Sequence, residues 1–189
     1  YGSTNTTSLE DVPLKFKPIN NYDLTKYSLD VHAEKFIRDG YNIVGLRFGT
    51  VNGWSPNIRE ELMINSMTKK AIREGTILIN NKTIKRPILG ISDISRAIRE
   101  IIESPKAGVY NLASFNDTVQ SISTYVSNSL NAKIEETLNV SGTYDFNMST
   151  DKFQSVYNFN FNESIESIVN ELVDKDNNYS NRNAYIKYE

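Results

Sequence analysis

Between Asn21 and Arg38 the apolar residues Leu24, Tyr27, Val31, Phe36 and Ile37 return at roughly helical spacing, and Gly40 follows as a stop. This predicts an amphipathic helix over 21–38, with Asn21 as its N-cap. The chain before it, 1–20, is polar and rich in turn residues, with Glu10-Asp11, Pro13 and Pro18, and reads as a surface loop. Asn42 to Phe48 has the short, β-branched character of a strand, and Gly49 to Pro56 reads as a loop. A second helix is expected over 59–74, ended by Gly75, then a short strand over 76–79 and a turn at Asn80-Asn81-Lys82. The apolar stretch 84–91 is interrupted by Pro87 and Gly90, which argues for an edge strand. Ser92 or Asp93 can cap the next helix, whose Ile94, Ala97, Ile98, Ile101 and Ile102 form a stripe expected to pack into the core. Further strands are expected over 109–113 and 133–138, helices over 118–130 and 163–173, and a loose, Asn-rich tail over 174–189. Strands alternating with helices make this an α/β chain.

Composition narrows the chemistry. With 189 residues and 39% hydrophobic content the chain can build a proper core. A net charge of −2 and a pI near 5.6 give no electrostatic footprint for nucleic acid or an anionic membrane. The basic doublets Lys69-Lys70 and Lys85-Arg86 read as solvated surface. Cysteine is absent, which rules out disulfides and thiolate metal sites and fits a reducing compartment. His32 is the single histidine, so neither a histidine metal cluster nor a Ser-His-Asp triad is expected, and no metal is assigned. No stretch reaches the roughly 18 to 20 apolar residues of a membrane span, and no export signal is present, so a cytoplasmic protein is expected.

Tyr22 and Lys26 stand one turn apart at the head of the first helix. An isolated phenol, with a pKa of about 10, is a poor base at neutral pH. A cation on the same helix face, roughly 5–6 Å away between Cβ atoms, favours the phenolate. An oxidised nicotinamide ring would add a second positive charge, and proton transfer from a sugar hydroxyl could then be coupled to hydride transfer.

The order of these features resembles the extended short-chain dehydrogenase/reductase family of sugar-nucleotide epimerases and dehydratases. Tyr1-Gly2 is similar to the tail of the family's segment bearing a catalytic Ser or Thr. Tyr22-Asp-Leu-Thr-Lys26 falls where its Tyr-x-x-x-Lys pair belongs, and Asn42-Ile-Val-Gly-Leu-Arg47-Phe-Gly-Thr-Val-Asn-Gly53-Trp-Ser-Pro56 resembles the next strand and substrate-side loop. Arg86-Pro-Ile-Leu-Gly-Ile-Ser-Asp93-Ile-Ser-Arg-Ala97 resembles the Arg-bearing strand that runs into an Asp-capped helix, and Val109-Tyr-Asn111-Leu the strand after it. The likeness covers roughly 1–173.

The resemblance implies the C-terminal part of a Rossmann-like parallel sheet (1–56 with elements further on) and a smaller α/β substrate-binding region within 57–173. It implies NAD or NADP as cofactor and a nucleotide-sugar substrate. Tyr22 would be the acid/base, Lys26 would assist it and bond the nicotinamide ribose, Arg86 would clasp the diphosphate, and Asn65 would touch the nucleotide. A homodimer paired through the Tyr22 helix is implied as well. The family commonly has Asn where Thr50 stands, and an aromatic and His at Leu89 and Gly90. None of the nine glycines forms a G-x-x-G-x-x-G phosphate turn. The expectation is therefore a chain without its N-terminal dinucleotide-binding half, inactive in isolation. The alternative is a non-catalytic remnant or binding module that keeps part of the fold.

Overall fold

The structure, a computed structural model, describes residues 1–4, 6–11, 18, 20–138 and 143–185, with 177–185 as backbone only. Pro13 and the last four residues of the expected tail lie outside the described residues. Helix α1, Asn21–Arg38, is capped by Asn20, whose side-chain oxygen accepts from the Asp23 amide at 2.8 Å, one residue earlier than the sequence suggests. Asp23 in its first turn and Lys35 and Arg38 in its last match the helix dipole. No residue of α1 is buried, and Tyr22, Leu24, Leu29, Val31 and Phe36 all stand exposed. The helix lies on strands β1 (Val44–Phe48) and β5 (Gly108–Leu112), which pair in parallel from Val44↔Gly108 to Phe48↔Leu112. Gly45 allows the close approach, because a Cβ there would sit 3.2 Å from Val109 Cγ2 and 3.6 Å from Ala33 Cβ.

Three further strands form a mixed sheet in the order β2-β4-β6, with β2 Thr50–Asn52, β4 Lys85–Gly90 and β6 Phe115–Thr118. Strand β4 is central here, not the edge strand that Pro87 suggests. Its pairing with β2 begins at Thr50↔Ile88, one residue beyond the proline, so the missing N–H interrupts no β2 ladder position. Strands β3 (Thr76–Ile79) and β7 (Lys133–Glu136) make a third, parallel pair.

One core cluster gathers α2 (Met63–Glu74), α4 (Val119–Leu130), α6 (Ile165–Tyr185) and β3, around Ile64, Ile77, Ile122, Val126, Ile168 and Leu172. A second, aromatic cluster joins β5 to α5 (Asp151–Tyr157), with Phe153 4.7 Å from Tyr157 and 5.2 Å from Phe159 between ring centroids. In α3 (Ile91–Glu103) Ala97 is buried, but Ile98 is 39% and Ile102 73% exposed, so only part of the expected stripe reaches the core. The 59–74 helix starts later, at Met63. The expected loose tail is helical instead: α6 continues to Tyr185, and the Lys69–Asp176 ion pair and Lys175, 4.8 Å over the Trp54 ring, hold the part beyond Val173. Lys69 is thus buried rather than solvated. The opening loop is likewise tethered, with Glu10 buried and accepting from the Asn111 amide at 2.8 Å. Among the described residues no helix is long and apolar enough to cross a membrane.

Asp93 does not cap its own helix, whose N-cap is Gly90. Fully buried, it accepts from Ser114 Oγ at 2.6 Å, from the amides of Asn162 and Glu163 at 3.0 Å, and from Arg96. It thereby pins the segment leading into α6 to the second sheet. Burial works to raise its pKa, but these hydrogen bonds outweigh it and hold the carboxyl below its usual range. Asp93→Ala is expected to cost about 3 kcal/mol in urea unfolding at pH 7, because it strands several buried donors. A depressed folded pKa contributes stability above the unfolded value of about 4 and loses it as pH falls, so the difference from wild type should shrink below pH 4.

Candidate active site

Tyr22 and Lys26 meet as their spacing requires. The Lys26 ammonium lies 5.3 Å from the centroid of the Tyr22 ring, and both side chains are exposed, Tyr22 by 69%. The phenol is thus neither sealed in the core nor turned away from its cation. Beside them opens a small cleft of about 160 Å³, lined by Tyr1, Gly2, Asp23, Lys26, Asp30 and Tyr144 among others. Tyr22 stands at the helix head and is not part of that lining.

The wall of this cleft is organised by Arg47 of β1, whose side chain is only 8% exposed. Its Nε donates to both oxygens of Asp30 at 3.2 Å, and its Nη2 to Glu34 at 3.1 Å. Its Nη1 donates to the Tyr1 phenol oxygen at 2.9 Å and to the Glu10 carbonyl at 3.4 Å. Tyr1 in turn donates to Asn111 Oδ1 at 2.6 Å. Burial opposes the Arg47 charge, but Tyr1 and Asp30 more than offset it and raise its pKa. Burial raises the Tyr1 phenol too, which keeps it a donor. Across the cleft Tyr144 donates to Asp23 at 2.7 Å, and burial with that bond pushes its phenol up to about 12.

A second cleft, of about 380 Å³, opens between α2, β3 and β4. Met63, Met67, Leu78, Ile84 and Val119 give it apolar walls, and Thr50, Ser66, Asn80 and Arg86 supply polar groups. Arg86 donates to the Tyr144 carbonyl at 3.1 Å, and among the described residues no carboxylate pairs with it. Burial lowers its pKa below the ordinary guanidinium value, the mark of a cation short of counter-charge. This doublet residue is half-buried rather than plain surface. The segment 143–146 joins the two clefts: the Tyr144 carbonyl faces Arg86 while its side chain reaches Asp23 on α1.

Asn65, expected at the nucleotide, is bonded to the backbone around it. It is buried, lines neither cleft, and accepts from the Gly53 amide at 2.9 Å while donating to the Arg59 carbonyl at 3.1 Å. Asn52 reciprocates. Helix α2 has no side-chain cap of its own, and Asn52 Oδ1 accepts from the Ile64 amide at 2.9 Å and the Asn65 amide at 3.4 Å. A cap delivered from a strand leaves no local signature, which is why the sequence did not reveal it. At Gly90 a Cβ would lie 2.6 Å from Glu163 Cγ and 2.7 Å from its Cβ, so Glu163 fills the space a larger residue would need.

For a dinucleotide, the donor set fits one end. An exposed phenol and ammonium one turn apart suit a nicotinamide ribose, and the chain's glycines offer no phosphate turn.

The profile of the NAD dependent epimerase/dehydratase family matches residues 1–113. The fold is similar to that of dTDP-glucose 4,6-dehydratase from Bacillus anthracis in complex with NAD, with a TM-score of 0.76 at 19% identity over 92% of this chain and 57% of that one. It is similar to UDP-glucuronic acid 4-epimerase from Bacillus cereus, in complex with UDP-glucuronic acid and NAD (0.78, 20%, 92% and 57%). It is also similar to RMD from Pseudomonas aeruginosa complexed with NADPH (0.73, 14%, 92% and 62%). The chain thus spans less than two thirds of the length of these proteins.

Loss of the remote cap gives a direct test of the cleft wall. Asn52→Ala should lower stability by about 2 kcal/mol in denaturant unfolding and raise amide exchange at Ile64 and Asn65 before the rest of α2.

Proposed function

Because this chain belongs to the NAD-dependent epimerase/dehydratase family, we propose that it is the substrate-binding and acid/base portion of an enzyme acting on a nucleotide-activated sugar. Arg86 carries this reading. A half-buried guanidinium with no carboxylate partner among the described residues, at the edge of an apolar-walled cleft, suits a diphosphate whose nucleoside fills the cleft. Its fork matches phosphate oxygens, and their charge supplies what burial has removed. The segment from Arg86 through Tyr144 to Asp23 gives the sugar a path towards α1.

There Tyr22 exchanges a proton with a sugar hydroxyl, and Lys26, over the ring, bonds the nicotinamide ribose. A nicotinamide cofactor held beside this pair would supply hydride transfer. Asn65 acts indirectly, by fixing the Gly53 turn against α2. The exposed apolar side chains of α1, and a β1 paired only with β5 among the described residues, support a further, dinucleotide-binding segment that packs there.

Two substitutions in the enzyme assembled with that segment test the reading. Tyr22→Phe should lower turnover by about 10²- to 10⁴-fold with nucleotide-sugar binding, measured by calorimetry, unchanged within about twofold. Arg86→Ala should weaken nucleotide-sugar binding by about tenfold or more, while the affinity for nicotinamide cofactor stays as it was. Full turnover in Tyr22→Phe would overturn the assignment in favour of a non-catalytic binding module.

A further inference from the structure

Lys26 has a carboxylate within one turn on either side, Asp23 three residues before it and Asp30 four residues after, and all three line the same cleft. Either could draw the ammonium away from Tyr22, since helix neighbours at these spacings attract even in the less favourable order of Lys before Asp. Both are occupied from other elements. Tyr144 donates to Asp23 at 2.7 Å, and Arg47 donates to Asp30 through both oxygens at 3.2 Å and to Glu34 one turn further. The ammonium lies over the Tyr22 ring instead.

We propose that Arg47 and Tyr144 are positioning residues for the Tyr22–Lys26 pair, holding Asp30 and Asp23 so that Lys26 remains available to the phenol. The proposal rests on the proton-transfer role assigned to Tyr22. Among the described residues, the charged and titratable groups around the pair are Asp23, Tyr27, Asp30 and Glu34 of α1, Arg47 of β1, and Tyr1 with its terminal ammonium, Glu10 and Tyr144 from the flanking segments. Glu34 supplies an internal control. It shares the Arg47 guanidinium with Asp30 but lies eight residues from Lys26, two turns away and beyond its reach. Removing Arg47 leaves both carboxylates without their partner, and only one of them can recruit Lys26.

The experiment compares suppressors in the complete enzyme. Arg47→Met should lower kcat about tenfold or more and move the acid limb of the pH–rate profile to higher pH. Adding Asp30→Asn should restore most of the loss and return the limb, whereas adding Glu34→Gln should not. A clamp that merely supports the fold predicts equal rescue by both, because each removes a carboxylate left beside the vacated site, and equal rescue or none overturns the proposal. Tyr144→Phe, at a position with no role in the core, gives the parallel pair: kcat falls and Asp23→Asn restores it. Should Arg47→Met fail to fold, Arg47→Lys with the same two suppressors and the Tyr144 pair decide the matter. Tyr22→Phe is measured alongside. If that variant keeps wild-type turnover, the reading of the site fails; if it is inactive and the suppressor pattern is missing, the positioning claim alone fails.

Discussion

A buried guanidinium must be surrounded, because removing it from water costs several kcal/mol unless its donors find acceptors. Arg47 meets that demand by collecting Asp30 and Glu34 from α1, the Tyr1 phenol, and the Glu10 carbonyl. Helix α1 buries no residue of its own, and Asp30 and Glu34 tie it to β1 through Arg47. Arg47 therefore links the β1–β5 pair to the chemistry at the head of the helix.

The same constraint explains which parts of the molecule can be read from residues alone. Helices α1 and α4 announce themselves through caps and spacing, Thr118 accepting from the Ser121 amide at 3.0 Å as its position suggests. Periodicity reports that a helix has an apolar face and says nothing of what covers it. Hence Ile98 and Ile102 of α3 belong to a clean stripe and still meet solvent. Strand β6, Phe-Asn-Asp-Thr, is too polar to stand out, and β2 spans three residues. Pro87 signals an edge because a proline normally ends a ladder, yet the ladder with β2 simply starts after it. Lys69 and Asp176 lie far apart in the chain, and no local pattern could pair them.

Within the site, the spacing of Tyr22 and Lys26 was legible because a helix converts it directly into proximity. The position of Arg86 followed from resemblance, and that no carboxylate among the described residues pairs with it became visible only in three dimensions. Asn65 went the other way. A polar residue on an apolar helix resembles a ligand contact, while its groups are spent on the Gly53 and Arg59 backbone. Asn52 accepts from the Ile64 and Asn65 amides while Asn65 accepts from the Gly53 amide, and the two together tie the loop after β2 to the start of α2.

Among the described residues three that are not glycine adopt left-handed backbone conformations, and these are asparagines: Asn81 in the turn after β3, Asn131 closing α4 and Asn158 closing α5. Asparagine tolerates this geometry more readily than other side-chain-bearing residues. Because it is stiffer than glycine when unfolded, each such terminus surrenders less disorder as the chain becomes ordered. A polypeptide rich in asparagine and sparing of glycine thus ends two of its helices with the amino acid it has in abundance, and its compositional bias becomes an architectural resource.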